Sequence, residues 1–294
     1  MTYCVGFCLE GGLVFASDSR TNAGVDYVTS YSKMHVFTPA PDRLFVLLAA
    51  GSLATTQEIV NRIRRDLHYP SGGSNLLSAR YLFEAADYIG RLSLAIQQQH
   101  QVALQASGVS GETTLLLGGQ IQGERHGLML IYPQGNYIEA SVNTPYLQIG
   151  ETKYGKPVLD RILSYGTSLA DAARLALVSL SSTAKSNITV GPPFELSVYR
   201  SNDFQIDSRC RFEEKGGYLS DLEDAWNKGL KSAFDHLPRF DWEVAAVGSE
   251  TALQAQAQHP VPNFQQPLVL PNQPGGNTSS PRILPCGPDS QTQG

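Results

Sequence analysis

Charged residues are scarce in this chain of 294 residues, and basic ones are not in excess. Charged side chains make up 17% of the sequence, with 22 lysines and arginines against 27 aspartates and glutamates, and the formal net charge is −5. Binding to nucleic acid normally depends on a basic patch that neutralises phosphates. The composition therefore predicts an acidic, soluble protein that does not bind nucleic acid.

Long apolar runs are also missing. Runs such as LFVLLAA are far shorter than the roughly 20 residues that a membrane-spanning helix needs. The first residues carry no basic stretch ahead of an apolar core, which a secretory signal peptide would have. We therefore expect no membrane segment and a cytoplasmic location.

Cysteine and histidine are few and scattered. The cysteines form no C-x-x-C pair, and the six histidines show no H-E-x-x-H spacing. We expect the cysteines to be free thiols, and we expect neither a metal site nor a cofactor. The four cysteines are Cys4, Cys8, Cys210 and Cys286.

One segment resembles a nucleotide-binding motif but departs from it at the last position. Residues 150–156 have the sequence GETKYGK, which matches most of a phosphate-binding P-loop. Pro157 stands where a serine or threonine would hold magnesium. We therefore interpret Gly150 as the end of a strand and do not expect a nucleotide site.

The composition is sufficient for one large domain. With 41% hydrophobic residues, a chain of this length can bury roughly three quarters of its unfolded surface. We expect the domain to cover residues 1–247, including a helical extension at about 218–240. From 248 to 294 glutamine, proline, asparagine and serine dominate and charges are rare, which predicts a mostly disordered tail.

The second residue carries the first chemical signal. If Met1 is removed, as is usual before a small residue, Thr2 acquires a free α-amino group. Such an amine has a pKa of roughly 8, so it can accept the proton of the hydroxyl and activate it as a nucleophile. Nucleophile and base then belong to one residue.

Two predicted hairpins bring charged residues back toward Thr2. YCVGFCL and LVFASDS are strand-like runs separated by the turn signal Glu10-Gly11-Gly12. A loop at Glu10-Gly11 places Asp18 opposite Tyr3, and a loop at Gly11-Gly12 places it opposite Val5. The runs SKMHVF and DRLFVLLAAG predict a second hairpin, with Lys33 at its start. A lysine there would favour deprotonation of the Thr2 hydroxyl, and Asp18 would keep the lysine charged and oriented.

Helices and further strands follow the hairpins. LATTQEIVNRIRRDL has helical spacing of apolar residues, and a second helix is expected from about Leu76 to Gln105 with Tyr81 on its inward side. The strand-like runs TTLLLGGQI, HGLMLIYPQGNYIEASV and YLQIG would together form a second sheet. A helix that starts at Ser168 and the strand FELSVYR come next. This order is typical of the α+β class.

A late helix is predicted in YLSDLEDAWNKGLKSAFDHL. Ser220 and Glu223 have the spacing of a capping box, and apolar residues line one side of the helix. This side would pack either on the same domain or on a neighbouring subunit, and the sequence favours neither.

Several of these segments together resemble a known family. MTYCVG, FASDSRTNAGVD, KMHVF, AAGSLATTQ, YPQGNYIEA, GETKYGKP and SNITVGPP, which lie between Met1 and about Tyr199, are similar to proteasome β-type subunits. Those subunits belong to the N-terminal-nucleophile hydrolases, and the resemblance is narrower still to the bacterial Anbu group. It implies a four-layer αββα sandwich and a homo-oligomer, a ring or a spiral, that encloses its active sites. An unfoldase partner is not identified.

The resemblance also assigns residues to an active site. Thr2 would be the nucleophile, Asp18 and Lys33 its polar partners, and the N–H of Gly51 the oxyanion donor. Ser186 matches the serine of an Asp-x-x-Ser pair that completes the site in the family.

Two positions depart from the family pattern. Glu151 stands where the family has a serine after a strand-end glycine, and Thr183 stands where it has the aspartate of the Asp-x-x-Ser pair. The proton-shuttling network around the α-amine therefore differs from that of the family.

Three functions agree with the sequence. The first is a threonine hydrolase that acts on peptide or other amide bonds. The second is a ring- or spiral-forming scaffold subunit with little proteolytic activity, which the departures at Glu151 and Thr183 suggest. The third is an amidohydrolase of a small substrate that is not a peptide.

Overall fold

The computed structural model describes residues 2–22, 28–69, 72–213 and 217–241. Met1, Cys286 and the predicted tail at 248–294 lie outside these ranges. The described residues up to His236 belong to one compact unit. Its strands are β1 (Tyr3–Leu9), β2 (Gly12–Asp18), β3 (Arg20–Asn22), β4 (Val28–Ser30), β5 (Met34–Ala40), β6 (Arg43–Gly51), β7 (Thr113–Ile121), β8 (Gly127–Ile131), β9 (Tyr137–Glu139), β10 (Tyr146–Gly150), β11 (Phe194–Arg200) and β12 (Ser208–Phe212).

Two five-stranded antiparallel sheets form the centre of the unit. The first has the strand order β10-β1-β2-β11-β12, and the second has the order β5-β6-β7-β8-β9. The short strands β3 and β4 pair with each other. The two predicted hairpins are therefore present, but each belongs to a different sheet.

The first hairpin has the register that brings Asp18 opposite Tyr3, next to Thr2. Leu9 pairs with Gly12 and Cys4 pairs with Ser17, so the turn centres on Glu10-Gly11. Gly12 has φ +143, and a Cβ at this position would overlap the carbonyl oxygen of Tyr199 on the neighbouring strand β11. Only glycine allows this close approach at positive φ.

The predicted membership of the second sheet was wrong for YLQIG. This run forms β10, which pairs with β1 in the first sheet, with Tyr3 opposite Gly150. TTLLLGGQI forms β7, which pairs with β6 in the second sheet, with Thr113 opposite Gly51. Local patterns identify strands, but the choice of partner depends on contacts between distant segments.

The helices cover the outer faces of the two sheets. The five helices of the described chain are α1 (Leu53–His68), α2 (Leu82–Ala106), α3 (Lys156–Ile162), α4 (Leu169–Ser186) and α5 (Gly217–Asp235). Ser168 caps α4 by accepting a hydrogen bond from the N–H of Asp171, as the sequence predicted.

Three apolar clusters separate four layers. One lies between the two sheets and includes Cys4, Phe15 and Val46. A second packs the outer face of the first sheet against α3, α4 and the start of α5, and a third packs the outer face of the second sheet against α1 and α2. Alternate residues of β1 and β6 enter different clusters, as the period of a strand requires. The four-layer αββα sandwich is confirmed.

The second predicted helix begins later than expected. Residues near Leu76 form a turn instead, in which the side chain of Asn75 accepts hydrogen bonds from the N–H groups of Leu77 and Ser78. Asparagine competes in this way with helical hydrogen bonds. Tyr81 therefore precedes α2 and is 44% exposed, so its prediction as an inward residue was wrong.

The start of α5 also differs from the prediction. The helix begins at Gly217, so Ser220 lies within it and does not cap it. Glu223 accepts a hydrogen bond from the hydroxyl of Ser181 on α4 at 2.7 Å, and Leu219 is buried. The first half of α5 thus packs on its own domain.

The thiols of the described cysteines are all free. Cys4 and Cys8 lie on one face of β1, next to the cluster between the sheets. Among the helices in the described ranges, none is long and apolar enough to cross a membrane.

Candidate active site

Two hydrogen bonds hold the peptide group that joins Thr2 to Tyr3. The carbonyl oxygen of Thr2 accepts a hydrogen bond from the N–H of Glu151 at 2.7 Å. The next N–H, that of Tyr3, donates to Oδ1 of Asp18 at 3.0 Å. Gly150 has φ +84, and a Cβ there would overlap the carbonyl oxygen of Thr2. The predicted strand end at Gly150 therefore holds the candidate nucleophile in place.

Asp18 and Lys33 form a buried ion pair. Nζ of Lys33 lies 2.7 Å from Oδ1 of Asp18, and the two side chains are 8% and 0% exposed. The same ammonium group donates to the carbonyl oxygen of Arg20 at 2.8 Å. The β5–β6 hairpin positions Lys33, because the carbonyl oxygen of Lys33 accepts a hydrogen bond from the N–H of Ala49 on β6 at 3.1 Å. Two adjacent backbone segments thus orient the lysine.

The environment of Asp18 has opposing effects on its charge. Burial raises the pKa of the carboxyl above its ordinary value, while the Lys33 ammonium and the N–H of Tyr3 lower it. Oδ2 is also buried and has no hydrogen-bond partner among the described residues. The carboxylate therefore depends on Lys33 for most of its stabilisation.

Gly51 lies at the junction of β6 and α1. It has φ +122, which favours glycine, and it pairs with Thr113 of β7. Ser52 follows it and caps α1, since its side chain accepts a hydrogen bond from the N–H of Thr55 at 3.3 Å. The N-terminal end of a helix carries a partial positive charge. Gly51 therefore lies where β6 meets this end of α1.

Thr2, Lys33, Gly51 and Ser52 line one cleft with a volume of about 560 Å³, and Asp18 lies behind Lys33. Both charged and small side chains line it, and the loop that precedes β7 supplies one wall. The lining residues are Thr2, Arg20, Thr21, Ser32, Lys33, Ala49, Ala50, Gly51, Ser52, Leu53, Thr56, Ser110, Glu112, Thr114, Pro133 and Gly150.

Glu151, one of the departures from the family pattern, has a defined place beside Thr2. Its side chain is buried, and its carboxylate accepts hydrogen bonds from Nδ2 of Asn187 at 3.0 Å and from the N–H of Lys153 at 3.3 Å. Asn187 caps the C-terminal end of α4. The sequence offered no sign of this pairing, since the two residues are distant in the chain.

Ser186 and Thr183 are placed near the same end of α4. Ser186 is the last residue of the helix and is exposed, and it is not among the residues that line the cleft. Thr183 is buried, and its hydroxyl donates to the carbonyl oxygen of Ser179 at 2.8 Å. The part of Ser186 in catalysis stays a prediction, and Thr183 serves the packing of the helix.

Sequence reasoning missed Glu195 on β11. This buried carboxylate accepts a hydrogen bond from the hydroxyl of Ser32 at 2.6 Å and pairs with Arg211 at 3.0 Å. Ser32 immediately precedes Lys33, so Glu195 supports the segment that carries the lysine. The strand FELSVYR starts with one charged residue, Glu195, among uncharged ones. A buried charge needs partners, so this residue was the sequence signal that could have revealed the contact.

No cluster of three or more histidine, cysteine, aspartate or glutamate side chains that could hold a metal ion is found within the described ranges.

Two antiparallel sheets between layers of helices, with a hydroxyl residue at the start of an interior strand, define the N-terminal-nucleophile hydrolase type of fold. The family model for proteasome subunits matches residues 2–199. The chain belongs to the proteasome subunit family and, within it, to the Anbu group that the sequence resembles.

Solved structures of Anbu proteins are similar over nearly their whole length. Anbu (ancestral beta-subunit) from Yersinia bercovieri is 42% identical, with 82% of this chain and 99% of that chain covered and a TM-score of 0.76. A structure titled as the helical assembly of the Anbu complex from Pseudomonas aeruginosa is 39% identical, covers 81% and 98% of the two chains and also has a TM-score of 0.76. No curated protein matches.

Proposed function

We propose that the chain is a threonine hydrolase that cleaves peptide or other amide bonds, with Thr2 as its nucleophile after Met1 is removed. The observation that carries this proposal is that Thr2, Lys33 and Gly51 line one cleft, while Asp18 pairs with the lysine. Membership of the proteasome subunit family supports it.

The geometry supports a two-stage reaction. Oγ of Thr2 attacks the substrate carbonyl carbon, and the α-amino group accepts the hydroxyl proton, directly or through a water molecule. The Lys33 ammonium stabilises the developing alkoxide, and Asp18 holds the ammonium group in position through their contact at 2.7 Å. The amine returns the proton to the leaving nitrogen, which leaves an acyl ester on Thr2. Water then attacks the ester, and the acid product and the free hydroxyl are released.

Negative charge on the carbonyl oxygen needs its own donors. The N–H of Gly51 and the N-terminal end of α1 supply them, at the wall of the cleft. Loss of one such donor costs roughly 3–4 kcal/mol of transition-state stabilisation in other hydrolases. The donors belong to the backbone, so the β6–α1 junction positions them without a flexible side chain.

A β-lactone, which acylates active hydroxyls, tests the nucleophile directly. The intact mass of the purified protein is expected to lack Met1 and to increase by one inhibitor molecule, with the adduct at Thr2 by peptide mapping. Thr2→Ala is expected to remain unmodified. Thr114→Ala removes another hydroxyl from the same cleft and is expected to react like the unaltered protein. Hydrolysis by protein that retains Met1 would contradict the proposal.

A second candidate function, self-assembly, rests on the second half of α5. Leu230 and Phe234 lie one turn apart on one side of this helix and are 51% and 72% exposed, and adjoining exposed apolar side chains can mark a protein–protein contact. The related Pseudomonas aeruginosa protein is described as a helical assembly. We propose that this side of α5 contacts another copy of the chain in a homo-oligomer.

The double variant Leu230→Ser, Phe234→Ser is expected to shift the protein from large assemblies to smaller species in sedimentation velocity. Lys228→Ser changes the opposite side of the same helix and is expected to leave the size distribution unchanged. An unaltered distribution for the double variant would show that α5 does not mediate assembly.

A further inference from the structure

The peptide group between Ala50 and Gly51 contains the proposed oxyanion donor. Its carbonyl oxygen, that of Ala50, accepts a hydrogen bond from the hydroxyl of Thr113 on β7 at 3.1 Å. The N–H of Gly51 belongs to the same planar trans group, in which the C=O and N–H bonds point in opposite directions. The N–H of Gly51 therefore points away from Thr113 and from β7.

The side away from β7 is the side of the cleft. There the N–H of Ala49 donates to the carbonyl oxygen of Lys33 at 3.1 Å, and the ladder between β5 and β6 ends with Met34 opposite Leu48. Gly51 is two residues further along β6 than Ala49, and alternate residues of a strand direct their N–H groups to the same side. The N–H of Gly51 therefore faces the region beside Lys33, and both residues line the cleft.

Two buried hydroxyl groups hold the chain on either side of Gly51. Thr113 is 1% exposed and Thr56 is 6% exposed, and their hydroxyl oxygens lie 3.3 Å apart. The hydroxyl of Thr56 donates its one proton to the carbonyl oxygen of Ser52 at 2.9 Å, which leaves the proton of Thr113 for Ala50. The carbonyl groups of the residues just before and just after Gly51 are thus both bound by side chains.

The hydroxyl of Thr113 interrupts an apolar face of β7. Residues two apart on a strand share a face, and the next two on this face, Leu115 and Leu117, enter the cluster between the second sheet and helices α1 and α2. A valine would fill the same volume at position 113 without burying a polar group, which is costly unless the group is hydrogen-bonded. The bond that the buried hydroxyl makes to Ala50 is therefore the feature that distinguishes threonine from valine here.

We propose that Thr113 is a positioning residue for catalysis, whose hydroxyl holds the Ala50–Gly51 peptide group so that the N–H of Gly51 is directed at the substrate carbonyl oxygen. The inference rests on the proposed function and adds to it a residue that acts through the backbone, from the side of β7. A donor stabilises an oxyanion best when its direction is fixed before the reaction. Loss of the hydroxyl should thus slow the reaction and leave substrate binding intact.

The test compares Thr113→Val, which keeps the shape of the side chain and removes the hydroxyl, with Thr113→Ser, which keeps the hydroxyl. With a capped dipeptide amide of a fluorescent amine, Thr113→Val is expected to lower kcat about tenfold, as for one hydrogen bond, with KM unchanged. Thr113→Ser is expected to retain most of kcat. A peptide boronate, which forms a tetrahedral adduct with a hydroxyl, is expected to bind Thr113→Val about tenfold more weakly, as transition-state mimicry requires.

Tyr199→Phe is the matched control, because it removes a buried hydroxyl at the other end of the same strand. The hydroxyl of Tyr199 donates to the side chain of Gln120 on β7 at 2.6 Å. Urea unfolding is expected to show a similar loss of stability for Tyr199→Phe and Thr113→Val. The control is expected to leave kcat and boronate binding unchanged.

The outcomes separate this inference from the proposed function. An equal effect of Thr113→Val and Tyr199→Phe on kcat, a change in KM alone, or a loss that Thr113→Ser does not reverse would overturn the role of Thr113 and leave the hydrolase standing. Boronate binding that depends on the Thr113 hydroxyl, in a protein that does not hydrolyse the amide, would support the positioning role and refute the hydrolase. A protein that neither hydrolyses the amide nor binds the boronate would refute both.

Discussion

Asp18→Asn is expected to lower kcat/KM for a short amide substrate by about a hundredfold, because a hydrogen bond between charged groups contributes roughly 1.5–3 kcal/mol. The same change is expected to lower the free energy of unfolding by about 3–5 kcal/mol, since it leaves a buried ammonium group without its counter-ion. Burial of both partners is what makes these effects large. Steady-state kinetics and urea unfolding measure them.

A double-mutant cycle and an exposed ion pair provide the controls. Asp18→Asn combined with Lys33→Met removes the unpaired charge, so the double variant is expected to be more stable than the sum of the single effects allows. Asp87→Asn removes a carboxylate from an ion pair with Arg91 in which both side chains are exposed. The free energy of unfolding is expected to change there by less than about 1 kcal/mol. Equal destabilisation at the two aspartates would show that the Asp18 pair has no special role.

Gly51→Ala is expected to reduce kcat/KM by about 10²–10³, the usual effect of losing an oxyanion donor. The added Cβ would overlap the carbonyl oxygen of Glu112, and the residue would be strained at φ +122. The β6–α1 junction must then move, and the N–H of residue 51 moves with it. The free energy of unfolding is expected to fall by more than about 1 kcal/mol.

Gly166→Ala serves as the matched control for this change. A Cβ at Gly166 meets no atom within 4 Å, so activity and stability are expected to be close to those of the unaltered protein. If Gly51→Ala still hydrolyses the short substrate at an unaltered rate, the oxyanion donor must lie elsewhere in the cleft. Reaction with the β-lactone reports separately whether Thr2 remains reactive.

Many contacts at the candidate site could be predicted because they join residues that are close in the sequence. Asp18 is tied to Tyr3 through a two-residue turn, and Lys33 begins a hairpin that the apolar runs on either side make evident. Turn chemistry and strand alternation determine such pairings within a short stretch of chain. The register chosen by the structure was one of the two that the turn signal allowed.

The features that escaped prediction join distant segments. The pairing of β10 with β1 sets Gly150 against Thr2, and the contact of Asn187 with Glu151 depends on where the end of α4 meets that strand. Single-sequence patterns do not say which strands become neighbours. The capping box at Ser220 failed for another reason, since the helix had already begun at Gly217, and boundaries of helices are weakly specified by sequence.

The sandwich architecture also affects how the protein tolerates mutation. Every residue of β2 is buried, and nearly every residue of β7 is as well, because each sheet has an apolar cluster on both faces. Substitutions in these strands change packed volume and so cost stability. Exchanges of side chains are therefore tolerated mainly at the rim of the cleft, in the loop at 110–112 and the turn between β8 and β9, where they disturb neither sheet.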